Sequence, residues 1–374
     1  METRLCWTEQ GIEHSAPWRN EARQKPPAAV LAQHEIGADA LLKLAHANTA
    51  VLWRGDFHNA KQVLAAVKKR LHKTPAKKAD KLSPAELFHR HRMQQAQQSR
   101  LINMLAVAIA PGLQLELPRA PDVAAALFDV YGEENREPFL LPLNQLLGFI
   151  GAYEWHKKGV FIPALNGSIH VPFGVFSPLR GEYLDLLENA PLSPAWREAF
   201  DIGTGSGVLA AMLARRGLGE IVATDNHPRA LACARANFER FGITEKIRLV
   251  ETDLFPEGKA DLIVCNPPWL PATPTSAIEA ALYDPGSAML KGFLAGVREH
   301  LNENGEAWLI LSDLAEHLEL RSAQELVQWM DQAGLYVKER LAVRARHGKA
   351  NHAEDALAPF RSRETTYLYH LQIK

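Results

Sequence analysis

Past Pro194, short apolar runs alternate with longer runs in which the apolar residues have helical spacing. The predicted strands are 198–202, 220–224, 247–251, 261–265 and 306–311, and the predicted helices are 206–216, 228–241, 289–301 and 323–332. Two last apolar runs, 335–343 and 365–372, predict a pair of antiparallel strands. This alternation is typical of a mostly parallel sheet with helices on both faces, whose ligands bind at the carboxyl ends of the strands.

The pattern before residue 159 is different. Residues 1–35 show no clear period and predict a loose leader. The apolar spacing from Ala28 to Met104, and again over 143–158, is largely helical. The sequence therefore predicts a mainly helical amino-terminal domain over residues 1–158.

Two helix starts in this half have recognisable caps. Ser83 and Glu86 have the spacing of a capping box, with Pro84 at the first helical position. Asp56 follows an apolar run and precedes a stretch of helical spacing. We therefore expect a strand-to-helix turn there with Asp56 as the helix cap, a structural role that we favour over substrate contact.

Residues 159–172 predict a β-hairpin that leads into the second domain. Asn166-Gly167 lies between two apolar runs, where this dipeptide is the strongest short turn signal. We place a domain boundary near Gly159, with the second domain over residues 159–374.

The composition is that of a globular protein. The chain has 374 residues, of which 47% are hydrophobic and 23% charged, close to the ordinary average. Its three cysteines are too few and too scattered for a disulfide framework, and none lies in a C-x-x-C pair that would begin a zinc site. No run approaches the roughly 18 uncharged apolar residues of a membrane span. We expect a cytoplasmic protein without a membrane-spanning segment or a metal.

Positive charge is concentrated locally, although the whole chain has a formal net charge of -1. Between Lys61 and Arg100 there are eleven Lys or Arg residues and two acids, which gives this basic segment a net charge of +9. A second basic stretch lies at Arg340–Lys349. Such segments either contact the phosphates of a nucleic acid or are solvated helix faces, and the charge run alone leaves both interpretations open.

The segment Asp201-Ile-Gly-Thr-Gly-Ser-Gly207 follows a predicted strand and opens a helix. Glycines allow a tight turn and bring the backbone close to a ligand. A dinucleotide fingerprint needs G-x-G-x-x-G, but here the third glycine comes one residue early and Val208 takes its place. An acid before the glycines would repel a pyrophosphate and attract a ligand with a cationic end. S-adenosylmethionine is such a ligand.

Two further acids follow the next two predicted strands, Asp225 after 220–224 and Asp253 after 247–251. A carboxylate at the second strand end can accept both ribose hydroxyls, and one at the third can accept the hydrogens of the adenine amino group. Single acids at strand ends are often merely solvated. Three acids in order at successive strand ends predict a nucleoside-containing cofactor.

Asn266-Pro-Pro-Trp269 closes the fourth predicted strand. Two prolines stop a strand by themselves, but they explain neither the Asn before them nor the aromatic residue after them. The Asn266 side-chain carbonyl and the Pro267 backbone carbonyl can accept the two hydrogens of a planar amino group, whose lone pair then faces a sulfonium methyl. Trp269 can stack on this group or stabilise positive charge on its nitrogen. Catalysis would be mostly orientation, without a metal or a strong base.

Together these motifs resemble the class I S-adenosylmethionine-dependent methyltransferases that methylate amino groups. The most similar branches are the release-factor glutamine methyltransferases and the small-domain ribosomal RNA methyltransferases. Gly174-Val-Phe-Ser-Pro178 resembles the segment that the small-domain branch places over the cofactor. The resemblance covers about residues 170–340 and implies a Rossmann-like α/β sheet, mostly parallel with an antiparallel last strand.

The resemblance also implies S-adenosylmethionine as the cofactor and a set of site residues. The implied cofactor-binding residues are Asp201, Gly203, Thr204, Gly205, Asp225, Asn226, Asp253, Leu254 and Asn266. The implied catalytic residues are Asn266, Pro267 and Trp269, and no metal ligand is implied. The motif ends in Trp269, whereas Tyr is usual in the release-factor branch.

The motifs leave the acceptor open. The basic segment favours an exocyclic base amine in RNA, ribosomal or transfer, or in DNA. The alternative is a protein glutamine in a translation factor or ribosomal protein, whose side-chain amide presents the same two hydrogens. Trp269 and the predicted helical first half both count against that alternative. A second alternative is a binding protein that retains the fold without chemistry, against which the intact Asn266–Trp269 motif argues.

Overall fold

The computed structural model describes residues 3–72, 82–179, 181–276, 278–344 and 356–374. The chain forms two compact units. The first comprises Met1–Lys81 and His89–Glu154, and the second comprises Leu82–Phe88 and Trp155–Lys374. Within the described ranges, no helix is both long enough and apolar enough to cross a membrane.

Up to Lys158 the chain contains strands as well as helices. The elements are β1 (Arg4–Glu9), β2 (Ile12–Pro17), β3 (Ala29–Gln33), α1 (Ala38–His46), β4 (Thr49–Trp53), α2 (Phe57–His72), α3 (Pro84–Ile102), β5 (Leu105–Ile109), α4 (Ala124–Tyr131), β6 (Phe139–Pro142) and α5 (Leu143–Lys158). Strands β1 and β2 form an antiparallel hairpin. Strands β3, β4, β5 and β6 form a sheet in that order, in which the first three strands are parallel and β6 is antiparallel.

The prediction of a loose leader over residues 1–35 is wrong. Gln10 and Gly11 both have positive φ, as a tight two-residue hairpin turn requires. The hairpin is held because Trp7 and Ala16 pack in a buried cluster with Leu52 of β4. These contacts are remote in sequence, so the local pattern did not reveal them.

The prediction of a mainly helical domain over residues 1–158 missed this sheet. Strands β4, β5 and β6 are four or five residues long and nearly continuously buried. A short apolar run without alternation cannot be distinguished from a buried helix by periodicity. The predicted helices are nevertheless present as α2, α3 and α5.

The predicted capping box at the start of α3 is confirmed. The Glu86 amide donates to Ser83 Oγ at 3.2 Å, and the Ser83 amide donates to Glu86 Oε2 at 2.8 Å. Two helix-end amides are therefore satisfied reciprocally.

From Val160 onward the predicted alternation is present, and the bounds agree within two residues except that the strand predicted at 306–311 begins at Leu301. The elements are β7 (Val160–Ile162), β8 (Gly167–Ile169), α6 (Glu182–Asn189), β9 (Glu198–Ile202), α7 (Val208–Arg215), β10 (Glu220–Asp225), α8 (Pro228–Phe241), β11 (Ile247–Glu251), β12 (Ala260–Cys265), α9 (Ala288–His300), β13 (Leu301–Ser312), α10 (Leu314–His317), α11 (Ala323–Gln332), β14 (Leu335–Arg344), α12 (Ala358–Arg361) and β15 (Thr365–Ile373). The predicted hairpin is the antiparallel pair β7 and β8.

The large sheet has seven strands in the order β11-β10-β9-β12-β13-β15-β14. Strands β11, β10, β9, β12 and β13 run parallel, and the last strand, β15, is antiparallel to both of its neighbours. The predicted mostly parallel sheet with an antiparallel last strand is therefore confirmed. Its order reverses at β9, where an open sheet of this kind binds ligands.

Both faces of the large sheet are covered, which explains why its strands are continuously apolar. Leu262 and Val264 of β12 point into a buried cluster with α6, α7 and α8. Ile263 and Cys265 point into a second cluster with α9 and α11. Strands buried on both faces show no hydrophobic alternation.

Candidate active site

The predicted site residues come to one edge of the large sheet. Asp201, Asp225, Asp253 and Asn266 lie at or just after the ends of β9, β10, β11 and β12, which are neighbouring strands. Cys265 pairs with Ile202 across β12 and β9. Asn266 is therefore the residue directly beyond this pair, beside the first glycine of the turn after β9.

The turn after β9 depends on glycine for two different reasons. Gly203, Gly205 and Gly207 have φ of 72°, 55° and 80°, in the left-handed region that favours glycine. A Cβ on Gly207 would lie 2.6 Å from the ring of Phe238 on α8. A Cβ on Gly205 would have no described atom within 4 Å. Gly207 thus permits close packing of two helices, whereas Gly205 leaves an open edge for a ligand.

Asp201 lies beneath this turn and is fully buried. Its Oδ2 accepts the Thr204 hydroxyl at 2.7 Å and the Ala210 amide at 3.1 Å. Its Oδ1 is buried without a hydrogen-bond partner among the described residues. Burial raises the pKa of Asp201 to about 6, although the bonds from Thr204 and Ala210 act in the opposite direction. The carboxylate therefore supports the turn and retains one unsatisfied acceptor, which fits a nearby cationic group.

Asp225 also supports the turn. Its Oδ2 accepts the Gly205 amide at 3.0 Å, and its Oδ1 accepts the His227 amide at 2.9 Å. A carboxylate offers about four lone-pair positions. The half-buried Asp225 therefore still has acceptor capacity for hydroxyl groups at the sheet edge. Asn226, the next residue, is exposed.

The segment that follows β11 is hydrogen-bonded to the end of β10. The Thr224 hydroxyl donates to the Leu254 carbonyl at 2.7 Å. Leu254 has φ of 66°, and a Cβ on Gly292 of α9 would lie 2.6 Å from its side chain. This reversal at Leu254 leaves the preceding Asp253 exposed.

The Asn-Pro-Pro-Trp turn is closed by a side-chain hydrogen bond. The indole Nε1 of Trp269 donates to Asn266 Oδ1 at 2.9 Å. Pro267 is buried, and Trp269 packs against both core clusters of the sheet. Burial raises the pKa of the neighbouring Cys265 thiol well above its ordinary range, so this thiol stays protonated. The polar groups presented by the turn are the amide of Asn266 and backbone carbonyls.

Asn237 on α8 is fully buried and was not predicted as a site residue. Its Nδ2 donates to the carbonyls of His170 and Ser206 at 3.1 and 3.0 Å, and its Oδ1 accepts the His170 amide at 2.9 Å. Asn237 therefore ties the glycine turn to the strand that leads into Gly174–Pro178. The available signal was one Asn on the apolar face of an otherwise regular amphipathic helix.

Asp284 was also missed as a structural residue of the site. Its buried carboxylate accepts the amides of Met289 and Leu290 at 3.0 and 3.1 Å, and thereby fixes the start of α9. A Cβ on Gly203 would lie 2.7 Å from the methyl group of Met289. Helix α9 therefore begins directly beside the glycine turn.

The strand order, the antiparallel last strand, the glycine turn after β9 and the Asn-Pro-Pro-Trp turn after β12 together define the second unit. Its fold is the Rossmann-like fold of the class I S-adenosylmethionine-dependent methyltransferases. Residues 174–336 match the family model of the methyltransferase small domain. This match begins at the Gly174 segment that the sequence singled out.

Two curated relatives and one solved structure illustrate the similarity. The chain is 34% identical over 186 residues to a release factor glutamine methyltransferase of Gloeobacter violaceus, which covers 48% of this chain and 58% of the relative. It is 32% identical over 163 residues to a tRNA1(Val) (adenine(37)-N6)-methyltransferase of Shewanella amazonensis, which covers 40% of this chain and 64% of the relative. A ribosomal protein L11 methylase structure from Lactobacillus delbrueckii subsp. bulgaricus aligns with 58% of this chain and 92% of its own, at 21% identity and a TM-score of 0.39. The chain spans less than two thirds of the length of the first curated relatives that it matches.

Proposed function

We propose that this protein transfers a methyl group from S-adenosylmethionine to a planar amino nitrogen. The observation that carries the proposal is the position of Asn266, directly beyond the Cys265–Ile202 pair and beside the glycine turn. An amide acceptor at that position can hold an amino group next to a cofactor seated on the turn.

The residues at the sheet edge fit this cofactor. S-adenosylmethionine, when bound, supplies an electrophilic methyl group on a sulfonium. The open backbone of Gly203–Gly205, supported from below by Thr204 and Asp201, would receive its methionine end. Asp225, with Asn226 beside it, would accept the ribose hydroxyls, and Asp253 with Leu254 would hold the adenine.

The acceptor nitrogen would be oriented by two carbonyl groups. Asn266 Oδ1 and the Pro267 backbone carbonyl each accept one hydrogen of the amino group, so its lone pair points along the line of transfer. The bound cofactor would supply the methyl group, with a nitrogen–carbon bond replacing the sulfur–carbon bond, and the nitrogen would then release one proton to solvent. The face of Trp269 would stabilise the transient positive charge on this nitrogen.

We propose an exocyclic base amine of RNA or DNA as the acceptor. Several basic-segment residues are exposed on α2 and α3, among them Lys61, Lys69 and Arg100. Arg70 is paired with Asp39 at 2.7 Å, so it contributes less free charge. Four further cations, Lys73, Lys77, Lys78 and Lys81, lie outside the described residues, as do Arg346, His347 and Lys349 of the second basic stretch. A tRNA adenine methyltransferase among the relatives supports this acceptor class.

A protein glutamine is the second candidate acceptor. A relative named as a release factor glutamine methyltransferase favours it, and a glutamine amide presents the same two hydrogens to Asn266 and Pro267. No disulfide joins the described residues, which include Cys6, Cys233 and Cys265. Cysteines without disulfides suit a reducing compartment, so we infer that the protein acts in the cytoplasm.

The test is transfer of labelled methyl from S-adenosylmethionine into an extract of cells that lack the protein. Portions of the product are then digested with ribonuclease, deoxyribonuclease or protease. Loss of label to a nuclease is the expected result. Loss only to protease would replace the nucleic-acid proposal with the glutamine one. No label with the wild type, despite cofactor binding by titration, would overturn the proposed activity.

The basic segment has its own test. The double variant Lys61→Glu/Lys69→Glu should lower the rate of transfer and weaken its dependence on salt, because fewer counterions are released on binding. The matched control is Lys259→Glu, since Lys259 is an exposed lysine on the second unit outside both basic stretches. Equal effects of the two variants would show that the basic segment does not contact the substrate.

A further inference from the structure

The indole of Trp269 fixes the orientation of the Asn266 amide. The Nε1–Oδ1 distance is 2.9 Å, and an indole N–H is a donor that cannot accept. The amide atom facing it must therefore be the oxygen, which removes the usual ambiguity between the two ends of an Asn side chain. The amide nitrogen is directed to the other side.

The indole is itself held in place. It packs against both core clusters of the sheet, and Pro267 and Pro268 restrict the backbone that carries it. The next residue, Leu270, accepts the Asp284 amide at 2.8 Å and donates to the Leu282 carbonyl at 3.4 Å. Because ring, backbone and following chain are all tied, rotation of the indole would break several contacts at once.

We propose that Trp269 is a positioning residue that acts on the acceptor through Asn266, an inference that rests on the proposed function. Its N–H occupies one lone pair of Asn266 Oδ1 and leaves the other directed at one hydrogen of the acceptor amine. Pro267 then supplies the acceptor for the second hydrogen. The turn selects tryptophan for this donor and not only for an aromatic face, because a phenylalanine ring has the face without the N–H.

The variant Trp269→Phe separates the two roles. It retains a ring face but removes the donor, so we expect the rate of methyl transfer at saturating cofactor to fall about 10-fold, the effect of losing one hydrogen bond that orients a polar group. Cofactor affinity should stay unchanged. The control is Trp329→Phe, since Trp329 lies on α11 and its ring lies under the Lys291 ammonium group.

Coupling between the two residues gives a second criterion. If Trp269 acts through Asn266, the double variant Asn266→Ala/Trp269→Phe should be no slower than Asn266→Ala alone. Multiplying losses, or a Trp269→Phe variant with the wild-type rate, would overturn the proposal in favour of stacking alone.

A third measurement needs no activity. The indole ¹H–¹⁵N resonance of Trp269 is assigned by its loss in Trp269→Phe, and it should shift and exchange faster with solvent in Asn266→Ala. An unchanged resonance would show that the bond is absent in solution and would overturn the inference. If this resonance shifts while no acceptor is ever methylated, the proposed function fails and the indole–amide contact stands.

Discussion

Two strand-to-helix turns in this protein have the same local topology, but they differ in how far the protein itself fills their space and satisfies their polar atoms. The turn after β4 belongs to the first unit and the turn after β9 to the second. In the first, a Cβ on Gly55 would lie 2.1 Å from the His34 carbonyl oxygen, and the Trp53 indole donates to the Asp56 carbonyl at 3.0 Å. The space around this turn is filled by the protein itself.

Polar groups of the first turn are also satisfied internally. Asp56 Oδ1 accepts the amides of His58 and Asn59 at 2.9 and 3.2 Å, which confirms it as the cap of α2. The same carboxylate is bound in bidentate fashion by Arg119, whose hydrogen bond lowers the pKa of Asp56 to about 2. This turn has a structural role.

The turn after β9, in contrast, has open space and an acceptor atom that the described residues do not fill. No described atom would meet a Cβ on Gly205, and Asp201 Oδ1 is buried without a partner in the described ranges. A buried polar group without a hydrogen-bond partner destabilises the folded state. The two turns share a glycine, and the proposed cofactor site differs from the structural turn in having an acceptor that the described residues do not satisfy.

The largest expected effect is a loss of turnover when Asn266, at the edge of the large sheet, is replaced. Asn266→Ala should slow methyl transfer by about 100-fold or more, comparable to removing a group that stabilises a transition state. Cofactor affinity should fall much less than in Asp225→Ala, because Asn266 follows β12 whereas the turn and its acids follow β9, β10 and β11. Methyl-transfer assays beside isothermal titration measure both quantities.

Asp225→Ala is the reciprocal control for that prediction. It removes the acceptor of the Gly205 amide and the proposed ribose contact, so it should weaken cofactor binding by about 10-fold or more. If Asn266→Ala lost cofactor affinity as severely as Asp225→Ala, cofactor binding and methyl transfer would not depend on separate residues.

The second unit was predictable because the apolar spacing along the chain matches the faces that its helices and strands bury. Helix α8 and strand β11 have the bounds that the apolar spacing predicts, and glycine and acid positions alone indicated one ligand edge. What escaped prediction depends on partners distant in sequence. Asn237 reaches His170 and Ser206, and the Trp269–Asn266 bond depends on a side-chain orientation that no spacing encodes.

The first unit was less predictable for a physical reason. Its strands are short and buried by residues from a hairpin near the amino terminus, so neither length nor alternation distinguished them from helices. The spacing of Ser83 and Glu86 predicted a helix start correctly because capping is a contact within three residues. Local signals were thus reliable where the stabilising contact is itself local.

An intermediate effect, on stability, would sharpen the comparison of the two turns. Gly55→Ala places a methyl group against a backbone carbonyl and should destabilise the protein by about 3 kcal/mol. Gly205→Ala meets no described atom and costs only the strain of a left-handed alanine, about 1 kcal/mol. Denaturant unfolding measures both values, and titration should show weaker cofactor binding for Gly205→Ala alone. Reversed stabilities, or weaker binding in the Gly55 variant only, would contradict the assignment of roles.

The smallest expected effect is a pH dependence that arises from the buried Asp201. Its pKa of about 6 in the folded protein lies above the ordinary value of 3.8. The unfolded chain therefore releases this proton first as pH rises, and the stability contributed by protonated Asp201 is full below pH 3.8 and is lost as pH rises through about 6. Asp201→Asn, whose amide oxygen can still accept from Thr204 and Ala210, lacks this loss. The difference in unfolding free energy between variant and wild type should thus grow in favour of the variant across that range and then level off.

A saturating cofactor should reduce the difference, because a cationic group near Oδ1 favours the ionised carboxylate. A difference that is flat with pH would show that Asp201 is ionised throughout, and that its unpartnered oxygen is not held in an apolar environment.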